Sequence, residues 1–375
     1  VDDKIKVLIA SVLKPADDVR SCYKIGQSLA QTNKYEVNII GFESKKKVEN
    51  ENIFLYPIFK FQRNSFKRLY APVKVFKKYL KLKPQLIIIN TPELLWVMFL
   101  IKILFGTKII YDVQENYQFN ISQNQIYRGL PKYLFKYYIK ITESLSRYFV
   151  EGFLLAEEVY EQQLSFIHHK PYIKLLNKSI LSIKQEIEPL TLSKNNPLKF
   201  IYSGTIGAEY GTLDAIELCK KIHYFNSKIT LIIIGYSADS KYLKIIEKAV
   251  NKVAYIKLIT NNKPIAQSAI IQEIKNSDVA LLPYRLNPNL AGRFPTKIYD
   301  YLALHIPMII PPHPEWKSYL HQYSAGLTVD FNTPDVERLQ KELHNSSFFV
   351  NRPKEEILWK SQESELLHFV EKILS

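Results

Sequence analysis

Short apolar runs alternate with amphipathic helical patterns along nearly the whole chain, and that alternation restricts the fold more than any other feature. A strand buried on both faces reads as a continuous apolar run, and parallel neighbours need a crossover helix between them. Residues 6–12, 36–42, 85–90, 108–113 and 148–155 have the strand pattern, and 17–32, 93–105 and 130–147 the helical one. A polar stretch over 182–198, holding Pro189 and Pro197 and lacking any period, has the composition of a linker. Beyond it the alternation restarts, with strands expected over 199–203, 229–234, 253–258 and 279–283, and helices over 212–225 and 264–276. A closing helical pattern occupies 353–375. The expectation is an α/β protein of two parallel-sheet domains, residues 1–181 and 199–352. Such units tend to bind ligands in a crevice outside the carboxyl ends of their strands.

Composition narrows the class. A chain of 375 residues with 47% apolar side chains is long enough for two cores and too apolar for disorder. Its two cysteines, Cys22 and Cys219, form no metal or disulfide spacing, which favours a reducing, cytoplasmic setting. No signal peptide is legible at the start, and the most apolar stretch, 94–105, contains Lys102 and is too short to span a bilayer. The net charge of +15 is unevenly placed: through Lys178 there are 28 basic against 16 acidic residues, and beyond it 23 against 20. Residues 60–83 are densest, with Arg63, Lys67, Arg68, Lys74, Lys77 and Lys78 among nine basic residues and no acid, interleaved with aromatic and aliphatic side chains. Such a segment suits an anionic membrane surface, a plain solvated face, or nucleic acid. Paired α/β halves are not explained by nucleic-acid binding, so no nucleic-acid partner is expected.

Chemistry concentrates at a few strand ends. Residues 294–312, FPTKIYDYLALHIPMIIPP, place Pro295 at a helix start, followed by Thr296, Lys297 and, one turn on, Asp300. Pro is tolerated there because its missing N–H has no intrahelical partner, and the free N–H groups of that end attract anions. An ordinary core helix and strand is the competing interpretation. The segment FIYSGTIGAEYG sets Ser203, Gly204 and Thr205 in a strand-to-helix turn, where glycine lets the backbone approach an anion. Tyr284 and Arg285, in LLPYR, follow an expected strand, and Arg293 lies close by as a further cation. In the first half, YDVQENY puts Asp112, Gln114 and Glu115 at a strand's carboxyl end. The eight histidines show no metal-ligand spacing, and no Ser or Cys stands in a nucleophile context. Anion clamps with carboxylates argue for group transfer from an activated phosphate ester.

Taken together these residues resemble the GT-B-fold glycosyltransferases, most closely the retaining family four. ADDVRSCYKIGQSLAQTNKYEVNIIGF is similar to that family's opening, with its Asp-x-Arg before the helix, and KIIYDVQE to its strand ending in Asp-x-His-Glu. YIKLLNKSI resembles the exit into the linker, and FIYSGTIGAEYG and FPTKIYDYLALHIPMII resemble the phosphate loop and the donor-nucleotide helix. The resemblance implies two Rossmann-like domains facing across a cleft, the first binding acceptor and the second donor. It also implies that the helix within 353–375 crosses back onto the first. It implies a sugar transfer from a nucleotide-diphosphate sugar to a glycan or lipid-linked acceptor in cell-surface polysaccharide synthesis. The resemblance further implies that the configuration would be retained and that neither metal nor other cofactor would be needed. The donor would be held by Ser203, Gly204, Thr205, Tyr284, Arg285, Arg293, Pro295, Thr296, Lys297 and Asp300. Asp112, Gln114 and Glu115 would lie at the reaction centre. Arg63, Lys67, Arg68, Lys74, Lys77 and Lys78 would face the acceptor or the inner side of the plasma membrane. Asp300 matches the second acid of a paired-Glu motif that holds the ribose, whereas the first acid is replaced by Gly292. Gln114 stands where the family often has His, and His305 where Gly is frequent. A non-catalytic partner of this fold and a nucleotide-sugar epimerase are the alternatives.

Overall fold

β-Branched and leucine-rich runs flanked by polar turns make strands in both halves of the chain. The computed structural model describes residues 4–44, 48–61, 66–123, 130–183, 188–261, 265–286 and 292–375. They form two compact units, Val1–Ile180 with Trp359–Ser375, and Leu181–Leu358.

The first unit has seven parallel strands: β1 (Ile5–Pro15), β2 (Tyr35–Phe42), β3 (Ile53–Phe59), β4 (Leu86–Ile89), β5 (Lys108–Val113), β6 (Gly152–Leu155) and β7 (Tyr172–Lys174). They are ordered β3-β2-β1-β4-β5-β6-β7. A π-helical turn, Val19–Gly26, runs into α1 (Gln27–Ala30). Then come α2 (Ala71–Leu82), α3 (Leu95–Phe105), α4 (Tyr117–Gln123), α5 (Leu130–Ser146) and α6 (Tyr160–Gln163). The period of two along each strand sorts the core into two layers. Val7, Ile9, Leu86, Ile88 and Ile110 face Cys22, Ile25 and Leu29, while Leu8, Ala10, Ile87, Ile89 and Ile109 face Val75, Tyr79, Leu95, Met98 and Ile101.

In the second unit a small antiparallel pair, β8 (Leu190–Thr191) with β15 (Ser347–Phe348), flanks six parallel strands. These are β9 (Leu198–Thr205), β10 (Ile229–Tyr236), β11 (Ile256–Thr260), β12 (Val279–Leu281), β13 (Met308–Ile310) and β14 (Gly326–Thr328), ordered β11-β10-β9-β12-β13-β14. The helices are α7 (Thr212–Phe225), α8 (Ser240–Val250), α9 (Gln267–Lys275), α10 (Thr296–Leu304), α11 (Pro314–Tyr323) and α12 (Val336–Asn345). In both sheets the chain winds outward through three strands and then returns to the other side of the first, the topology of a doubly wound sheet with a switch point.

The last helix, α13 (Glu363–Leu374), belongs to the first unit. Its Leu366, Phe369, Val370 and Ile373 close the same layer as Cys22, Ile25 and Leu29. The helix starts later than the pattern over 353–375 suggests, because Pro353 is followed by two short 3-10 turns, Glu355–Ile357 and Trp359–Gln362. Three further elements depart from the expectations. β3 was hidden by Pro57, which a sheet interior would reject; β3 is the edge strand, where a missing N–H is harmless. Residues 148–151 form a turn, and only Gly152–Leu155 joins the sheet. Within the polar linker, Leu190–Thr191 pairs with Ser347–Phe348.

Candidate functional site

In the second unit the candidate residues collect where β9 and β12 end, the neighbouring strands between which the order reverses. Gly204 has φ +130°, and no protein atom stands within 4 Å of where its Cβ would be. Only glycine takes that conformation readily, and it leaves the backbone open to a close approach. Thr205 beside it is exposed. Ser203 is buried instead, its Oγ 2.8 Å from the Tyr301 hydroxyl, so it ties β9 to α10.

The rest of the turn closes on itself. The Ile206 N–H donates to the Tyr236 carbonyl, Gly207 to Thr212 Oγ1, Tyr210 to the Gly207 carbonyl and Gly211 to that of Ala208. Gly211 (φ +67°) lies under the chain leaving β12, where a Cβ would stand 1.8 Å from the Pro283 oxygen. Tyr284 and Arg285 continue that contact. The Tyr284 ring meets Tyr210 edge-on at 5.4 Å, the Arg285 N–H donates to the Glu209 carbonyl at 3.0 Å, and its guanidinium holds both Asp214 oxygens at 2.8 Å. These two residues fasten the exits of β9 and β12 together. Burial pushes the Tyr284 hydroxyl well above its ordinary range.

At the start of α10, Phe294 is buried against Tyr299 and Tyr319, with ring centroids 4.7 Å away in each case. The Trp316 indole N–H donates to the Arg293 carbonyl at 3.1 Å. Pro295 is the N-cap, one residue before the first helical position expected for it, and Thr296 opens the helix at the surface. Lys297 Nζ lies 3.3 Å from Asp300 Oδ2, one turn along, and both side chains are largely covered. A cation and a carboxylate therefore sit together at the positive end of the helix dipole. At the other end His305 adopts φ 57° and stacks on Phe349 at 4.6 Å, the left-handed cap for which glycine is commoner.

In the first unit the candidates lie at the carboxyl ends of β1 and β5. Asp18 caps the π-helical turn by accepting from the N–H groups of Arg20 and Ser21. Arg20 then closes on Asp112 with contacts of 2.7–3.0 Å, and its Nη1 donates to the Leu175 carbonyl at 2.6 Å and to Asn177 Oδ1 at 3.1 Å. Asp112 is only 1% exposed. Its carboxylate is enclosed by protein and held by Arg20. Gln114 Nε2 donates to Asp112 Oδ2 at 2.6 Å, while Lys14 Nζ donates to Gln114 Oε1. Glu115, half-buried, accepts from Asn120 at 2.8 Å. Sequence reasoning missed Arg20 and Lys14 as partners here; the legible signal was two basic residues flanking the turn after β1.

Arg63 and the Lys67 side chain lie outside the described residues. Of the other basic residues in that segment, Arg68 pairs with Glu93, Lys74 donates to the Ile58 carbonyl at 3.2 Å, and Lys78 lies over the Tyr56 ring at 3.2 Å. Lys74 and Lys77 are exposed, and Arg68 and Lys78 are half-buried. Both cysteines are free and buried, and burial pushes each thiol up to about 12. Among the described residues no group of three His, Cys, Asp or Glu side chains could hold a metal ion.

Comparison with known proteins agrees with this architecture. Residues 183–347 match the family model described as Glycosyl transferases group 1. No curated protein sequence matches the chain. Among solved structures, a sucrose-phosphate synthase from Thermosynechococcus elongatus superposes with a TM-score of 0.70 at 13% identity, covering 99% of each chain. A glycosyltransferase from Rickettsia africae gives 0.65 at 12% identity, over 100% of this chain and 99% of its own. Anabaena HepE, solved in complex with UDP-glucose, gives 0.63 at 13% identity, over 98% of this chain and 100% of its own. The chain has the GT-B fold, and residues 183–347, within its second unit, are similar to the group 1 glycosyltransferases.

Proposed function

We propose that the protein is a glycosyltransferase that moves a sugar from a nucleotide-diphosphate donor to an acceptor hydroxyl. The observation that carries this is the pairing, in one unit, of the bare Gly204 backbone with the Lys297–Asp300 end of α10, the two joined by Ser203 and Tyr301. The diphosphate takes Lys297 and the first N–H groups of α10, and the ribose takes Asp300, so donor binding splits the ion pair between two ligands. Charge developing on the leaving diphosphate is met by a preorganised cation and helix dipole. The departing phosphate accepts the acceptor's proton, and configuration is retained. Gln114, steered by Asp112 and Lys14, is the first unit's contribution at the acceptor. HepE, whose structure holds UDP-glucose, supports the donor class by likeness of fold. A membrane-borne or polysaccharide acceptor fits the basic first unit.

Calorimetry against UDP, GDP, ADP and CMP tests the donor site directly. Lys297→Ala should weaken binding of the preferred nucleotide about tenfold or more, the scale of one lost charged hydrogen bond of about 1.5–3 kcal/mol. Unchanged affinity removes Lys297 from the site. Proton NMR of the product's anomeric signal checks retention. Conversion of donor with no acceptor present would instead indicate an epimerase, and binding without turnover a non-catalytic protein.

A further inference from the structure

On one face of the seven-stranded sheet, α3 packs between α2 and α5. The inner side of α3 is built from Leu95, Met98 and Ile101. Its outer side is just as apolar: Trp96, Phe99, Leu100, Ile103 and Leu104 follow the spacing of a single helical stripe, and Ile103 and Leu104 are 64% and 62% exposed. A soluble helix at this place should carry polar residues outward. On α5 a second exposed stripe, Tyr133, Tyr137 and Ile141, continues the surface, and on α2 so do Val73 and Leu80. Charges on the three helices have one sign. Among the described side chains they are Lys74, Lys77, Lys78 and Lys81 on α2, Lys102 on α3, and Lys136 and Lys140 on α5. The sole acid among them, Glu143, is buried. No described helix is long and apolar enough to cross a membrane.

We propose that the outer face of α3, framed by α2 and α5, docks on an anionic lipid bilayer, with α3 seated in the interfacial layer and lysines of the flanking helices on the lipid headgroups. Exposed apolar surface of this extent marks an interaction site, and its framing by cations without exposed acids selects an anionic sheet of headgroups as the occupant. Aromatic side chains favour the same boundary, because one end of Tyr or Trp is apolar and the other polar. Lys74 and Lys78 turn back onto the first unit, so the charged frame is carried by Lys77 and Lys81 on α2 and by Lys136 and Lys140 on α5.

The chain carries its own reporter. Of its three tryptophans, Trp316 and Trp359 are buried, and Trp96 is 42% exposed on α3. Vesicles of phosphatidylcholine with one-third phosphatidylglycerol should float the full chain and shift Trp emission to the blue, and Trp96→Phe should abolish the shift without abolishing flotation. Added salt should weaken binding, and pure phosphatidylcholine should bind far less. Ile103→Glu/Leu104→Glu should lower vesicle affinity at least tenfold with the circular dichroism spectrum unchanged, and Lys136→Glu/Lys140→Glu should remove the preference for anionic lipid. Absence of flotation on anionic vesicles overturns the proposal. So does a dimer in sedimentation that Ile103→Glu/Leu104→Glu dissolves while vesicles bind neither form, since a second copy is then the occupant. Nucleotide calorimetry on the same samples reads the second unit alone, so failure of docking and failure of the transferase reading are separate results.

Discussion

Glu143 is a carboxyl group held inside a protein layer with two neutral partners, the Tyr111 hydroxyl at 3.2 Å and the Gln118 amide at 3.0 Å. Burial pushes its pKa from 4.5 up to about 7, outweighing the two hydrogen bonds, which act the other way. Because the folded value lies above the unfolded one, the folded chain binds more protons between those limits, and stability falls as pH rises from 4.5 to 7. Glu143→Gln removes the ionisation and keeps the shape. It should stabilise the first unit at pH 8 by up to about 3 kcal/mol, read in a denaturant titration, and leave its stability nearly unchanged at pH 4.5. Equal gains at both pH values would show that ionisation is not the cause. Asp112 is the contrasting carboxylate at the same scale. It is equally buried but gripped by Arg20, so its charge is matched where that of Glu143 is not.

Between residues and units, the second unit's site depends on how three elements are fastened. Gly211 allows the chain leaving β12 to cross the start of α7, and Ser203–Tyr301 holds α10 against β9. Gly211→Ala adds a methyl group where the Pro283 oxygen already stands, at a positive φ that alanine resists. The expected loss is on the order of 3 kcal/mol, read by urea titration of the second unit, together with weaker nucleotide binding. Tyr301→Phe is gentler. It leaves the buried Ser203 hydroxyl without its partner and should cost about 1–2 kcal/mol, with nucleotide affinity falling as α10 loosens. A variant that lost stability but bound nucleotide as before would separate the tie from the site.

For the whole molecule, the order of the chain and the order of its units differ: the first unit is completed by the last seventeen residues, Trp359–Ser375. Gln362 donates to the Leu176 carbonyl at 2.9 Å and accepts from its N–H at 2.8 Å, so a side chain completes a backbone ladder. The Trp359 indole donates to Ser28 Oγ at 2.9 Å, and Lys34 pairs with Glu371 at 2.7 Å. Removing Glu363–Ser375 uncovers Leu366, Phe369, Val370 and Ile373, each contributing about 1.5–3 kcal/mol by burial. That sum is comparable with a domain's whole stability. Calorimetry of the truncated chain should lose the first unit's transition and keep the second's, and limited proteolysis should leave a fragment near Leu181–Leu358. A single intact pair of transitions would show the helix to be dispensable.

The strands and the crossover helices were legible because burial on both faces forces continuous apolar runs, a local signal that survives in any context. The start of α10 was equally legible, since Pro295 can stand only where no N–H is needed, and so was the left-handed cap at His305 once glycine was expected there. β3 was illegible for the complementary reason: whether Pro57 is tolerated depends on which strand lies at the edge, and that is a property of the assembled sheet. Pairings between distant residues were decided by tertiary structure alone. Nothing local says that Arg20 will close on Asp112 or Arg285 on Asp214, because an ion pair forms with whichever opposite charge the fold brings within reach. The same holds for α3, whose apolar sequence reads as core from end to end. Only the packed sheet shows that half of it is turned outward.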